Sequence, residues 1–320
     1  MSGREEQPRN AGLNRRSFLT AGVAGAMAAS ALQSAGAAAE IGELEAELRG
    51  EPVEGPVRPC AVQWGMLPSE LEPAARVALA ARCGFDGIEA PSMDNLDEAK
   101  QIGDLAAAAG VPVHCIIYGG WHALLSDPDP GTAQQGKEDL AQAMRTANAM
   151  GADTVLLVPA RVTPTVRYIE CYERTQERIP ELFPLAEELG VVIAVENVWN
   201  DFLLSPIEFA RYIDEFNSPW LQAYFDTANI VAYGYPQDWI LTLGHRIRRV
   251  HYKDFHRDDR EWTKLGEGTI DWRAVHDAFV EVEFTGWCTA ELPGGDEAYL
   301  TEVCRRMKAI SAGGEGVSSA

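Results

Sequence analysis

From Val57 onward, short apolar runs rich in Val, Ile and Ala alternate with longer stretches in which apolar residues recur every three or four positions. The short runs predict strands buried on both faces, as in a parallel sheet, and the periodic stretches predict the helices that cross between them. Eight such units are legible, with strands at about 57–64, 85–90, 111–117, 153–158, 191–196, 220–225, 246–251 and 286–291. Ser69 with Glu72 predicts a capping box at the first helix, whose apolar face would be Leu71, Ala75, Ala78 and Leu79. Ser205, Pro206 and Glu208 predict a second start, followed by Phe209, Tyr212, Ile213 and Phe216 at helical spacing. Gly84, Gly110, Gly151 and Gly190 stand where left-handed caps would close a helix before the next strand. Eight alternating units predict a closed (β/α)8 TIM barrel. An open doubly wound sheet is disfavoured because no glycine-rich dinucleotide or phosphate loop stands at a strand-helix junction.

The last four strands share a feature. VVIAVE, LQAYFD, RIRRVH and GWCTAE end in Glu196, Asp226, His251 and Glu291. In a barrel of this kind the carboxyl ends of the strands form one rim, so adjacent strands would aim three carboxylates and an imidazole at a common point. One such carboxylate is more often a helix cap or a salt-bridge partner; four consecutive strands ending this way describe a divalent-metal site. Oxygen-rich ligation with a single imidazole suits Mn or Mg, with Co also admitted, better than structural Zn.

The chain has 320 residues, 46% hydrophobic and 23% charged, with a mean hydropathy of −0.16, the composition of a soluble globular protein. Asn14-Arg15-Arg16-Ser17-Phe18-Leu19 leads into a mildly apolar Ala/Gly-rich segment that ends at Ala37-Ala38-Ala39. That pattern predicts a twin-arginine export signal over 1–39, removed on export to the periplasm or exterior. The rest divides into a linker at 40–56, the barrel at 57–312 and a flexible tail at 313–320. Net charge is −21, and 1–39 carries four arginines against two glutamates, so the remainder is near −23. Such a surface argues against nucleic acid and against anionic membranes as partners once the signal is gone. Self-association stays open. The six cysteines show no metal-ribbon or redox spacing; Cys60, Cys115 and Cys288 read as small core residues, and disulfide formation is undecided.

The words around the four strand ends, VVIAVENVWNDFLLSP, AYFDTANIVAYGYPQDWI, RIRRVHYKDF, LGEGTIDW and GWCTAELPGGD, closely resemble the sugar phosphate isomerase/epimerase group of xylose isomerase-like barrels. The similarity runs from about 57 to 310 and is nearest to ketose and ketose-phosphate 3-epimerases such as L-xylulose-5-phosphate 3-epimerase. It implies that Glu196 and Glu291 are both metal ligands and the acid/base pair, with Asp226 and His251 as ligands only. Two glutamates on opposite faces of a ketose would then exchange a proton beside its carbonyl through an enediolate. Asn229 stands where some free-ketose epimerases carry a substrate-contacting histidine, a departure toward the pentulose-phosphate branch. Arg257, six after His251, matches a substrate-hydroxyl arginine of some relatives, or else belongs to the solvated run His256–Glu261.

Further substrate contacts are expected from Lys253 in the HYKD motif, Glu267 in its Gly-Glu-Gly loop, Glu89 at the end of strand two and Trp199 in ENVWN. Lys253 reads nearly as well as a strand-end salt-bridge partner. His114, inside strand three, reads as a hydrogen-bonded core histidine before it reads as a substrate contact. The leading function is a metal-dependent isomerase or epimerase acting on a small-molecule sugar, with export favouring an unphosphorylated one. A lyase or dehydratase on keto-glycosides or keto-inositols would use the same enediolate, and an exported sugar-binding protein with a vestigial metal site is the alternative from another class.

Overall fold

The computed structural model describes residues 54–122 and 124–314; the expected export signal, most of the 40–56 linker and the 315–320 end of the tail lie outside them. Eight parallel strands close into a barrel: β1 (Cys60–Gln63), β2 (Gly87–Pro91), β3 (Val113–Gly119), β4 (Thr154–Leu157), β5 (Val192–Glu196), β6 (Leu221–Asp226), β7 (Ile247–Tyr252) and, after a hairpin, β10 (Cys288–Ala290), which returns to pair with β1. The hairpin, β8 (Asp254–His256) with β9 (Glu261–Thr263), stands apart from the barrel sheet.

The helices that wrap the barrel are α1 (Pro73–Arg82), α2 (Leu96–Ala108), α3 (Pro130–Met150), α4 (Tyr168–Arg178), α5 (Phe183–Leu189), α6 (Pro206–Glu215), α7 (Pro236–Leu243), α8 (Trp272–Glu281) and α9 (Glu297–Ser311). Most of the core lies between strands and helices, where residues such as Phe209, Tyr212, Ile240 and Phe279 are fully buried. Each such side chain contributes about 1.5–3 kcal/mol by leaving water. Inside the barrel a second, small apolar cluster gathers Cys115, Leu156, Val158, Ala194 and Tyr224. All six cysteines are buried and free.

Helix punctuation follows the sequence in part. Gly84, Gly110, Gly151 and Gly190 all have positive φ, as left-handed caps require. Ser205 caps α6 by accepting from Glu208 N at 3.2 Å, with Pro206 in the first turn. The Glu208 carboxylate does not close the box; it accepts from Tyr168 Oη at 2.5 Å. The expected Ser69–Glu72 box does not form. Helix α1 begins three residues later, with Glu72 at the cap and Pro73 first, whose fixed φ and missing N–H suit that position. That shift changes the inward face to Val77, Leu79 and Ala80 and leaves Ala75 and Ala78 exposed.

Three strand pairs slip register. Ile88 pairs with Val113 and Glu89 with Cys115, so His114 is an extra residue on β3. Ile117 and Gly119 face Leu156 and Leu157, and Tyr224 pairs with Arg249 after Ala223 pairs with Ile247. Bulges of this kind reset which side chains face inward.

Helices α2 and α3 meet at Gly103, where a Cβ would lie 2.6 Å from both Cα and O of Met150. Backbone cannot rotate aside as a side chain would. Gly103→Ala should therefore destabilise the fold by about 1–3 kcal/mol through overpacking, despite the roughly 1 kcal/mol that alanine adds to helix propensity. Urea denaturation checks this; an unchanged or raised midpoint rejects it.

Candidate active site

Four adjacent strands deliver the site. Glu196 and Asp226 are the last residues of β5 and β6, His251 is the penultimate residue of β7, and Glu291 follows β10 directly. One donor atom from each lies within 4.8 Å of every other. That spacing allows one cation to reach all four at the roughly 2.0–2.6 Å of metal-oxygen and metal-nitrogen bonds.

Each donor is held by its own strand-end contacts. Asp226 Oδ1 accepts from the backbone N–H groups of Ala228 and Asn229 at 2.8 and 2.7 Å, which turns Oδ2 toward the centre. The Asn197 side chain bridges β5 and β6, donating to Asp226 O at 2.9 Å and accepting from Asp226 N at 2.8 Å. His251 is clamped through both ring nitrogens. Its Nε2 lies 2.9 Å from Glu89 Oε2, while Nδ1 faces Glu196 Oε1 at 2.8 Å and Glu291 Oε2 at 2.9 Å. Tyr224 Oη donates to the other Glu89 oxygen at 2.7 Å. A carboxylate behind the imidazole fixes its tautomer and orientation, which is how metal-ligating histidines are usually supported.

The electrostatics are those of anions crowded out of water. Burial pushes the Glu196 carboxyl up to about 7 against the pull of His251. Burial works the same way on Glu291, but His251 and Lys253 overcome it and hold that carboxyl well below its usual range. Burial alone would depress His251; Glu291, Glu89 and Glu196 instead raise it well above the usual imidazole value. The Lys253 ammonium lies 3.2 Å from Asp226 Oδ2 and 2.5 Å from Glu291 Oε2. Neither of those buried oxygens receives a well-directed hydrogen bond. Buried carboxylate oxygens held by close charges without directed hydrogen bonds, beside an imidazole nitrogen, are what a divalent cation satisfies. The residues fit such an ion.

Beside the cluster opens a cavity of about 800 Å³, with Gln63, Lys253, Trp262, Glu267, Glu291 and Leu292 in its wall. Glu267 reaches it as expected, with its carboxylate 2.8 Å from Arg306 Nη2. Other expected substrate contacts are engaged elsewhere. Glu89 is fully buried beneath His251, because its outward path is filled by the imidazole it supports. His114 packs on Trp287 at 4.7 Å with rings nearly parallel and bonds Thr289 Oγ1 at 3.0 Å, as a core histidine. The Asn229 amide donates to Asn197 O at 2.9 Å. Arg257 donates to Gly234 O and stacks on Tyr235. Trp199 donates to Asn229 O at 2.7 Å and braces Trp262, their ring centres 5.2 Å apart.

Asn197, Tyr224 and Trp262 were not legible as site residues. Asn197 braces Asp226 and Tyr224 braces Glu89 behind His251, so their letters carry no chemical signature of their own. Trp262 sits on the β8–β9 hairpin, where the preceding charged run masked two short strands.

The L-ribulose-5-phosphate 3-epimerase UlaE of Escherichia coli O1:K1 / APEC is 26% identical over 228 residues, 67% of this chain and 78% of its own. Among solved structures, a D-psicose 3-epimerase with D-fructose present superposes with a TM-score of 0.68 at 17% identity, covering 80% of this chain and 100% of that one. The 3-keto-D-glucoside 4-epimerase YcjR from E. coli does so with a TM-score of 0.68 at 14% identity, covering 79% and 99%. The family profile described as xylose isomerase-like TIM barrel matches residues 77–310, and the chain belongs to that family.

Proposed function

We propose that this protein is a divalent-metal-dependent sugar epimerase or isomerase, acting on an unphosphorylated ketose or keto-sugar derivative after export by the twin-arginine pathway. The convergence of three carboxylates and one imidazole from four adjacent strands on one cation-sized point carries the reading. Relatives and fold neighbours named as ketose, ketose-phosphate and keto-glucoside epimerases support it. The paired arginines Arg15-Arg16 support export.

Glu196, Asp226, His251 and Glu291 would hold the ion, Mn or Mg by the hardness of its oxygens. When bound, the ion would supply Lewis acidity, acidifying the C–H beside the sugar carbonyl. Glu291, kept ionised by His251 and Lys253, takes that proton. Glu196, the second carboxylate at the ion, takes up a proton from solvent and returns it from the other side of the enediolate, while Glu291 releases to solvent the one it took. Return to the same carbon inverts it; return to the neighbouring carbon isomerises the sugar. Lys253 balances the carboxylates and is placed to donate to a substrate oxygen. Asp226 and His251 hold the ion and transfer nothing.

In deuterated water, the Mn-loaded protein should place label on the carbon beside the carbonyl of its substrate across a panel of ketoses and keto-glucosides. Glu196→Gln should lower that exchange by about 10²–10⁴-fold with the circular-dichroism spectrum unchanged. Near-wild-type exchange in this variant rejects the assignment.

Glu196 holds its proton up to about pH 7 and the carboxylates around His251 keep its imidazole protonated well above the usual range, so both protons have to leave before the cation binds and affinity rises with pH through and beyond that value. Titration calorimetry should find Mn²⁺ bound at least about tenfold more weakly at about pH 6 than at about pH 8, with proton release to the buffer. A Kd independent of pH over that interval counts against it.

Export predicts a mature amino terminus near Glu40 in the periplasmic fraction, lost when Arg15 and Arg16 are both changed to Lys. Full-length protein retained in the cytoplasm of cells with a working twin-arginine system refutes this part.

A further inference from the structure

The cavity beside the metal cluster is larger than a simple sugar requires. A ketohexose, with about twelve non-hydrogen atoms at roughly 30 Å³ each as an upper bound, displaces under half of its approximately 800 Å³. The remaining space lies toward an apolar wall of Trp262, Leu292, Pro293 and Tyr299, contributed by the hairpin, the loop after β10 and helix α9. Lys253 joins the two halves, with its ammonium 2.5 Å from Glu291 Oε2 and 5.5 Å from the centre of the Trp262 ring. The Trp262 indole is half exposed and braced from behind by Trp199 and Phe255, with ring centres 5.2 and 5.1 Å away. Indole faces held in this way are platforms for flat or ring-shaped ligands.

The helix start nearest this space offers no cradle for a phosphate ester. TIM barrels commonly bind phosphate at the loops after strands seven and eight and a helix start beside them. Here the matching helix, α9, is capped by Asp296, which accepts from Tyr299 N at 2.9 Å, and carries Glu297 in its first turn. The Gly295 N–H is spent on Met66 O at 3.3 Å. Lys253 lies between two carboxylates and Glu267 is paired with Arg306, which leaves Lys264 as the remaining cation in the wall.

We propose that this apolar wall is a second subsite, which takes a neutral ring attached to the reacting sugar, so that the substrate is a keto-sugar glycoside rather than a free or phosphorylated ketose. The proposal rests on Glu291 marking the reacting end, as in the function proposed above. The ring stacks on Trp262 while the keto-sugar spans the distance to Glu291.

Unreactive glucosides test the subsite apart from the chemistry. Titration calorimetry of the Mn-loaded exported protein with phenyl and methyl β-D-glucoside should show the phenyl compound binding at least about tenfold more tightly. Trp262→Ala and Tyr299→Ala, on separate elements, should each bring that ratio below about threefold. Cellobiose in place of the phenyl compound distinguishes a sugar ring from an aromatic one, and a preference for either over methyl glucoside supports the subsite. Equal binding of all three compounds, a phenyl preference untouched by both substitutions, or tighter binding of glucose 6-phosphate than of glucose would overturn it. Deuterium exchange into methyl 3-keto-β-D-glucoside reads the chemistry alone. Exchange without ring preference removes the subsite, and ring preference without exchange removes the catalytic reading.

Discussion

Four carboxylates surround one imidazole in a space from which water is largely excluded, and much of the barrel mouth is arranged to make that tolerable. Glu89, Glu196 and Glu291 lie within hydrogen-bonding distance of His251, and Asp226 stands just beyond. Isolated buried charges cost several kcal/mol each, so such a group persists only where each member is partnered or a cation completes it. Tyr224 beneath Glu89, Asn197 across β5 and β6, and the backbone turn at Ala228 and Asn229 supply the partners. Lys253 supplies the nearest fixed positive charge above.

A similar economy governs the hairpin beside the mouth. Asp254 is buried, yet its Oδ2 accepts from Gly266 N, Gly268 N and the Trp272 indole, while Oδ1 accepts from Phe255 N. A Cβ at Gly268 would lie 2.0 Å from Asp254 Oδ1, so the loop can close on this carboxylate only because that residue is glycine. The anchored loop carries Glu267, and the hairpin before it carries Trp262. The expected metal side of the cavity is thus built on strand ends, and the part of its wall that carries Trp262 and Glu267 on a hairpin and loop tied to one buried aspartate.

The barrel and its four convergent donors were legible because they follow from periodicity and from strand ends, which the sequence writes directly. Glu196, Asp226, His251 and Glu291 lie where the alternating pattern put them. What lay hidden depended on direction. Glu89 looked like a rim residue because strand two ends near it, but a fully buried carboxylate under an imidazole has the same one-letter context. The start of α1 was misplaced because Ser69 and Glu72 satisfy a local rule that Pro73 satisfies better. Trp199 stands out as an aromatic in the ENVWN motif; Trp262, which lines the cavity, is screened by the charges of the hairpin turn.

The bulge between β6 and β7 bears on how the donor set is encoded. With Arg248 as the extra residue, Arg249 and His251 come into step with Tyr224 and Asp226 across the pair. Losing that one residue would leave each ligand letter in the gene while turning the imidazole to the opposite side of the strand. The site is therefore specified by phase as well as by identity. Insertions and deletions should be tolerated in the outer loops far better than in the six residues of β7, where a change of length by one is equivalent to erasing His251 from the cluster.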